Sequence, residues 1–321
     1  MQTWSMRLRT WRSGALAAVL ALAAMGVAAA PAAADDLVGP TADSLTITSF
    51  AGGDIGFIRQ GARIYVCANN VVDAGDTPTG VKSVTMDISS FGLPYPGYDL
   101  TKMNMSNSPV KTGICRGSFN SWEGDWPARK PLPEGPYAYS VTMTDFAGNS
   151  TTMSDTGTMD NTPPKAKDVQ SSNGGTTVGK AELGDTITFS FNEIMSRMLG
   201  DDAPTNRNVV VHIDNSGSND LLSVWVEGNQ RQDYYVGTVK LGGDYVSANT
   251  TFGATGVPST LVRGSTPGTN VITLGTPSGP TRTVTGSHTM VWSPSPNAMD
   301  RPGNPLVVST ITESGLGDPD F

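Results

Sequence analysis

Several turns of this chain carry acidic and amide side chains at spacings that could bind a hard cation. Asp145 precedes Asn149 in the segment D-F-A-G-N, and Asp300 precedes Asn304 in the segment D-R-P-G-N. Further oxygen donors lie between these two turns, at Asp155, Asp160 and Asn161. Calcium is bound by about six to eight clustered oxygen atoms. The sequence therefore raises the hypothesis that calcium binds at these turns, close to a boundary between two parts of the chain.

The same side chains have a simpler interpretation. Asp and Asn accept hydrogen bonds from backbone amides a few residues further along, and this capping alone explains their presence in turns. None of these turns fits the D-x-D-x-D-G pattern of a calcium loop. Turn capping is therefore the preferred interpretation. Calcium is the alternative, and no other cofactor is expected.

Aromatic side chains form a second group with possible binding chemistry. They fall in a stretch rich in Pro, Gly, Asn and Ser, at Tyr95, Tyr98, Trp122 and Trp126. Flat aromatic faces on loops can hold sugars. The indoles can instead cover one end of a sheet and add buried apolar area to a small domain. Packing is the preferred interpretation, and a carbohydrate platform is the alternative.

The sequence contains no recognisable catalytic motif. The chain has two histidines, His212 and His288, and no G-x-S-x-G motif accompanies either of them. Neither their spacing nor the supply of two cysteines suits a zinc site. We therefore expect a protein that is not an enzyme.

The elements that must position these residues are predicted to be β-strands. Residues 137–144 alternate between larger apolar and small or polar side chains, and Ile187, Phe189 and Phe191 alternate with Thr and Ser. This period of two is typical of a half-buried strand. The 37 Gly and 22 Pro give a composition rich in turns, and no long helical apolar stripe follows residue 34. The sequence predicts an all-β fold.

The two halves of the chain look like copies of one unit. The D-x-x-G-N spacing occurs in each half, and a turn glycine precedes an alternating strand at Gly61 and again at Gly184. The segments D-F-A-G-N-S-T-T, M-D-N-T-P-P and E-L-G-D-T-I-T-F-S-F-N-E-I-M-S resemble tandem bacterial immunoglobulin-like domains of secreted and surface proteins. The resemblance covers nearly all of the chain after residue 34. It implies two immunoglobulin-like β-sandwiches in tandem and says little about a ligand.

The N-terminal segment is typical of an export signal. Arg7, Arg9 and Arg12 precede an apolar run that ends at Ala30, and Ala32–Ala34 offer small residues to a signal peptidase. The run is shorter than the span of about 20 residues that crosses a membrane. Cleavage after Ala34 leaves 18 basic and 29 acidic residues, a net charge of −11 that disfavours binding to nucleic acid. The mature chain is expected to have no membrane anchor.

Export also bears on the two cysteines. Cys67 lies in a predicted strand and Cys115 in the irregular stretch that follows. Cysteines of exported chains tend to oxidise, and closing a loop of this length would stabilise the fold by about 4 kcal/mol. A Cys67–Cys115 disulfide is therefore expected, with two free buried thiols as the alternative.

These observations divide the chain into segments. They are 1–34 as a cleaved signal peptide, 35–160 as the first sandwich with a long insertion at 91–133, 161–164 as a proline hinge, 165–312 as the second sandwich and 313–321 as a frayed tail. We expect a secreted, non-catalytic extracellular protein, with loose association with the cell surface as the alternative. Its role would be structural, spacing or adhesive, with an extracellular protein or glycan as partner. A binding module for carbohydrate or calcium is the alternative.

Overall fold

The computed structural model of this chain describes residues 35–49, 53–91, 102–107, 122–127, 132–196, 206–226, 236–263, 268–317 and 321. These residues form an all-β fold with two sandwich-like domains in tandem, as the sequence predicts. The described part of the chain contains a single short helical segment, the 3₁₀ turn Ser89–Phe91. Within these residues no helix combines the length and the apolar character that membrane crossing requires.

In its described residues, the first sandwich has nine strands in two sheets. The strands are β1 (Ser44–Ser49), β2 (Phe57–Ile58), β3 (Arg63–Asn69), β4 (Val81–Asp87), β5 (Met103–Asn104), β6 (Ser106–Asn107), β7 (Trp122–Pro127), β8 (Gly135–Asp145) and β9 (Ser150–Met159). One sheet has the order β1-β3-β7-β6 and the other the order β2-β9-β8-β4-β5. Alternating side chains of both sheets fill the space between them, since Val66 of β3, Met86 of β4 and Val141 of β8 are all fully buried.

Part of the predicted insertion 91–133 belongs to this sandwich, which corrects the sequence-based expectation. Strand β7 pairs with β3 along six residue positions, from Arg63↔Pro127 to Ala68↔Trp122. Met103, Met105 and Leu132 lie in the core. The sequence does not predict this strand, because it contains Glu123, Gly124 and Asp125, and all three residue types are depleted in strands.

The part of the second sandwich that the structure describes has ten strands, which belong to one continuous sheet. They are β10 (Ala166–Ser172), β11 (Thr186–Phe191), β12 (Asn206–Asp214), β13 (Leu221–Val226), β14 (Thr238–Lys240), β15 (Thr250–Phe252), β16 (Ser259–Arg263), β17 (Thr269–Thr273), β18 (Val291–Ser293) and β19 (Ile311–Thr312). Nine of them follow the order β10-β11-β17-β16-β12-β13-β14-β18-β19, and β15 pairs with β12.

The sheet wraps around its core until its first and last strands meet. The carboxylate of Asp168 in β10 accepts hydrogen bonds from the backbone N–H and the hydroxyl of Ser314, two residues after β19, at 2.9 and 2.7 Å. The side chain of Gln170 donates to the Ser314 carbonyl at 2.8 Å. Side chains, rather than a backbone ladder, therefore join the two margins of the sheet.

The core of the second sandwich is centred on a tryptophan. Trp292 is fully buried and lies edge-on to Phe189 and Phe191, with ring centroids 4.9 and 5.3 Å away. Its indole N–H donates to the Val236 carbonyl at 2.8 Å, so the polar atom of this buried ring is satisfied.

Glu313, Ser314 and Phe321 of the C-terminal segment make defined contacts, so the predicted frayed tail 313–321 is wrong for these residues, whereas Leu316 is 95% exposed. Glu313 accepts a hydrogen bond from the Met290 backbone N–H through its side chain at 2.9 Å. Phe321 is buried against Tyr245, with ring centroids 5.2 Å apart and the planes nearly perpendicular. The C-terminal residue is ordered because burial of the apolar Phe321 side chain offsets the conformational entropy that the chain loses.

Each sandwich has its own core. The buried apolar side chains of the first run from Leu45 to Met159, and those of the second from Ala166 to Phe321. The change from one core to the next falls across the predicted hinge 161–164. The limits 35–160 and 165–312 stay predictions, and the predicted signal peptide 1–34 lies outside the described residues.

Candidate cation sites at equivalent ends of the two sandwiches

The first D-x-x-G-N turn, residues 145–149, is held by its own aspartate, and we call it the first corner. Asp145 is fully buried at the end of β8. Its Oδ1 accepts hydrogen bonds from the backbone N–H groups of Gly148 and Asn149 at 2.5 and 2.8 Å. The Asn149 side chain donates to Asp145 Oδ2 and to the carbonyl of Asp36, both at 2.8 Å. The corner therefore ties the entering chain to the end of β8.

The second corner, residues 300–304, has the same geometry. Asp300 is fully buried, and its two carboxylate oxygens accept from the backbone N–H and the side-chain amide of Asn304 at 2.6 and 2.8 Å. The Asn304 amide also donates to the carbonyl of Asp160 at 2.9 Å. Asp160 thus occupies the position in the second sandwich that Asp36 occupies in the first.

A third acidic residue completes each cluster. In the first triad, Asp73 joins Asp36 and Asp145, and one carboxylate oxygen of each lies within 4.8 Å of those of the other two. In the second triad, Glu193 joins Asp160 and Asp300 under the same distance limit. Asp73 follows β3, and Glu193 follows the corresponding strand β11. Corresponding elements therefore deliver corresponding acids to one end of each sandwich.

The second triad is electrostatically strained without a cation. Burial, together with the neighbouring carboxylates of Asp300 and Asp160, raises the pKa of Glu193 to about 7. Burial and the charge of Asp160 raise the pKa of Asp300 to about 7, against the hydrogen bonds from Asn304 that lower it. The pKa of Asp160 is also raised, mainly by burial. Crowded carboxylates disfavour one another's charged form, so the cluster favours binding of protons or of a cation near neutral pH.

The first triad differs from the second in its electrostatics. The hydroxyl of Thr79 donates to Asp36 Oδ2 at 2.8 Å, and this hydrogen bond is the largest cause of a lowered Asp36 pKa. The Oδ1 atom of Asp73 is buried and has no hydrogen-bond partner within the described part of the chain. In the first triad, the hydrogen bond from Thr79 therefore favours the ionised form of Asp36.

The pKa shifts of the second triad predict how stability depends on pH without divalent cations. Glu193 and Asp300 have folded-state pKa values of about 7, above the values near 4 expected in the unfolded chain. The folded state therefore binds more protons, and this contribution is present at acidic pH and is lost as pH rises through about 7. In chelator, the melting temperature should fall by several degrees between pH 6 and pH 8.

Thermal unfolding followed by circular dichroism across this pH range would measure the effect. Glu193→Gln is the matched variant, because it removes one titrating group and keeps the shape of the side chain. Its pH profile should be flatter than that of the unchanged chain. A stability that rises with pH from 6 to 8 in both proteins would contradict the assignment.

The second triad lies where the two sandwiches meet. The loop 53–60 of the first sandwich, which we call the joint loop, contacts the second corner. Asp54 accepts from the Arg301 guanidinium at 3.1 Å and from the Ser196 hydroxyl at 2.5 Å, and its backbone N–H donates to the Arg301 carbonyl at 2.5 Å. The Arg301 guanidinium carbon lies 3.7 Å from the centroid of the Phe57 ring.

The chain between the sandwiches is fixed by the same loop. The backbone N–H of Gln60 donates to Asn161 Oδ1 at 2.7 Å, and the Asn161 amide donates to the Leu132 carbonyl at 2.9 Å. A side chain at Gly53 would place its Cβ 3.0 Å from the Arg301 carbonyl oxygen, so the backbones approach too closely for one. The predicted hinge is thus a packed joint.

All of the predicted oxygen donors except Asp155 lie at the two corners or at the joint. Asp145 and Asn149 form the first corner, Asp300 and Asn304 the second, and Asp160 and Asn161 lie at the joint. Asp155 is exposed within β9, where it accepts from the Tyr139 hydroxyl at 3.2 Å. Sequence reasoning missed Asp36, Asp73 and Glu193 as members of a site. Their positions just before or after matching strands were the available signal.

The other predicted sites lie largely outside the described residues. This applies to Tyr95, Tyr98 and Cys115, and to the side chains of Trp122 and Trp126, whose backbone lies in β7. Cys67 is fully buried in β3. The carbohydrate platform and the Cys67–Cys115 disulfide stay predictions.

Neither histidine contacts a candidate nucleophile in the hydrogen bonds of the described residues. His212 stacks on Trp225 on the outer face of β12 and β13, with ring centroids 4.2 Å apart. His288 places its ring nitrogens 2.9 Å from the Gly242 carbonyl and 3.3 Å from the Thr285 carbonyl. Both rings have structural contacts.

No protein-family model and no curated protein matches the chain. Among solved structures, a tetra-tandem repeat from the extending region of a large adhesion protein is 17% identical, with a TM-score of 0.22, over 86% of this chain and 49% of that one. The D00-D0 domain of intimin is 13% identical, with a TM-score of 0.23, over 85% of this chain and 98% of that one. The C-terminal domain of the Streptococcus pyogenes antigen I/II-family protein AspA is 12% identical, with a TM-score of 0.22, over 87% and 100%. The chain spans about half the length of the first structure.

Proposed function

We propose that this chain is an exported, non-catalytic structural module whose two sandwiches are held in a fixed orientation by calcium bound at their joint. The observation that carries the proposal is the convergence of Asp160, Glu193 and Asp300 where the joint loop meets the second corner. A module of this kind would space or present an adhesive surface outside the cell.

The donor set of the second triad fits calcium by its chemistry. All three side chains offer carboxylate oxygens, the ligands that hard cations prefer, and neither nitrogen nor sulfur takes part in the cluster. Asp300 and Asp160 already accept hydrogen bonds that orient their carboxylates. A dication would neutralise the crowding that raises the pKa values of Glu193 and Asp300.

Calcium at this position would act on both sandwiches together. Asp160 belongs to the segment leaving the first sandwich, and its backbone N–H donates to the Ile58 carbonyl of the joint loop at 2.9 Å. Glu193 and Asp300 belong to the second sandwich. One ion would therefore connect the two sandwiches through carboxylates, in addition to the Asp54–Arg301 ion pair between them.

Thermal unfolding of the protein recovered after export would test the proposal. A site occupied at about 100 times its dissociation constant stabilises the folded state by about 2.7 kcal/mol. We therefore expect millimolar calcium to raise the melting temperature by several degrees over chelator at pH 8. Magnesium should do so less, because it demands tighter octahedral geometry. An unchanged melting temperature in calcium would overturn the cation part of the proposal.

A further inference from the structure

The N-terminal end of the first sandwich exposes a group of apolar side chains around the first triad. We call this group, Leu37, Val38, Val72 and Phe146, the apolar rim. Leu37 is 80% exposed and Phe146 is 65% exposed, and the other two side chains are also exposed. Exposed apolar side chains gathered around one feature mark interaction surfaces more often than scattered ones do.

The rim is continuous with the acids of the first triad. The backbone N–H of Val38 donates to Asp36 Oδ1 at 3.2 Å. The hydroxyl of Thr79 donates to Asp36 Oδ2 and accepts from the Ala147 backbone N–H next to Phe146, at 2.8 and 3.1 Å. These contacts place the rim and the triad on one surface.

The equivalent surface of the second sandwich is covered within the same molecule. Phe146 directly follows Asp145 in the first corner, and Arg301 directly follows Asp300 in the second. Arg301 is packed against Phe57 and Asp54 of the joint loop, which lies between β1 and β3 at the opposite end of the first sandwich. At the joint, the corner of one sandwich is therefore covered by the loop at the opposite end of the other sandwich.

The second sandwich has a counterpart of the joint loop. Residues 173–185, which we call the far loop, connect β10 to β11 as the segment containing the joint loop connects β1 to β3. The fully buried Asp185 fixes this loop by accepting from the backbone N–H groups of Gly174, Gly175 and Glu182 at 2.9, 2.8 and 2.6 Å.

The far loop exposes apolar side chains, whereas the joint loop contacts Arg301 through the charged side chain of Asp54 and also exposes Ile55. Val178 is 61% exposed, and Leu183 is also exposed. In the joint, Asp54 meets Arg301, but the rim has Phe146 at the position of Arg301. The joint pairs opposite charges across its contact. The rim and the far loop would instead pair apolar side chains with apolar side chains.

We propose that the chain associates with a second copy of itself head to tail, the apolar rim of one molecule docking on the far loop of the next. The contact repeats, between molecules, the arrangement that the joint makes within one. The contact is heterologous, so a dimer keeps one free rim and one free far loop, and association can continue into chains or close into rings. The inference rests on the structural role proposed above and names its partner.

Cysteine cross-linking tests the orientation of the contact. Phe146→Cys and Val178→Cys variants are prepared separately after export and mixed under mild oxidation in calcium. We expect a disulfide-linked dimer from the mixture and little from either variant alone. A dimer from Phe146→Cys alone would show a head-to-head contact and overturn the proposal. Ser154→Cys, at an exposed position within β9, is the control for random collision.

Sedimentation velocity as a function of concentration tests the strength of the contact. Phe146→Asp should weaken self-association by about tenfold or more, since it places a charge in the docked apolar surface. Ser154→Asp, which adds the same charge away from both ends, should leave it unchanged. Equal association of the two variants would overturn the proposal, as would unchanged protein that stays monomeric at the highest soluble concentration.

The outcomes separate this inference from the proposed function. A monomeric chain that calcium still stabilises would overturn self-association and leave the calcium joint in place. A chain that associates through the rim without a calcium response would support the inference and overturn the cation at the joint. Binding of the rim to a different protein, with no self-association, would overturn the choice of a second copy as the occupant.

Discussion

Replacing Asp300 with alanine should lower the free energy of unfolding in calcium by about 3 kcal/mol and remove most of the calcium response. The variant leaves the buried backbone N–H of Asn304 without its acceptor and removes one of the two acceptors of the Asn304 side-chain amide, and losses of this kind cost about 1–3 kcal/mol. It also removes one of three carboxylates at the joint. In chelator the cost should be smaller, because loss of the charge relieves the crowding of Asp160 and Glu193.

Urea unfolding in calcium and in chelator would measure both effects. Asp300→Asn is the informative companion, since it keeps a side-chain oxygen but no charge, and it should lose the calcium response with a smaller loss in chelator. Asp76→Ala, at an exposed turn position, should change neither quantity. A full calcium response in both Asp300 variants would contradict the assignment of the site.

Replacing Trp292 with alanine should destabilise the second sandwich by about 4 kcal/mol, the cost typical of emptying a large buried aromatic position. The ring is fully buried between Phe189 and Phe191, so its removal opens a cavity that these neighbours cannot fill without repacking. The Val236 carbonyl also loses its donor. Urea unfolding followed by far-ultraviolet circular dichroism would measure the loss.

Trp225→Ala is the matched control for Trp292→Ala. Trp225 is partly exposed on the outer face of the same sheet and stacks on His212. Its removal should cost less than about 1.5 kcal/mol, because little cavity forms at a position open to solvent. Similar losses for the two variants would contradict the position of Trp292 at the centre of the core.

The fold class could be predicted from the sequence because strand periodicity is local. The alternation in residues 137–144 and at Ile187, Phe189 and Phe191 predicts half-buried strands, and β8 and β11 contain these residues. Strand β7 could not be predicted in this way. Its place beside β3 depends on partners distant in sequence, and its own residues favour turns.

The candidate site could be predicted only in part. The repeated D-x-x-G-N spacing identifies Asp145 and Asp300, and the proline hinge draws attention to Asp160. Asp73 and Glu193 are different residues at corresponding positions, so no repeated motif connects them. Their convergence on the corners depends on how β3 and β11 pair with their neighbours, which local patterns do not encode.

The C-terminal segment shows how composition can mislead. The two glycines, the proline and the acidic residues after Ile311 are typical of an unstructured end, yet Phe321 enters the second core. A single large aromatic side chain outweighs its polar neighbours because buried apolar area grows with side-chain size.

The way Asp168 and Ser314 close the second sandwich determines where that sandwich opens first. Amide protons in the middle of the strand order, in β12 and β16, are held by ladders on both sides, whereas the margins β10 and β19 meet through a carboxylate and a hydroxyl. Hydrogen–deuterium exchange should therefore spread inward from this seam. Local unfolding of the sheet begins at this seam and leaves the amide protons of the central strands protected from exchange.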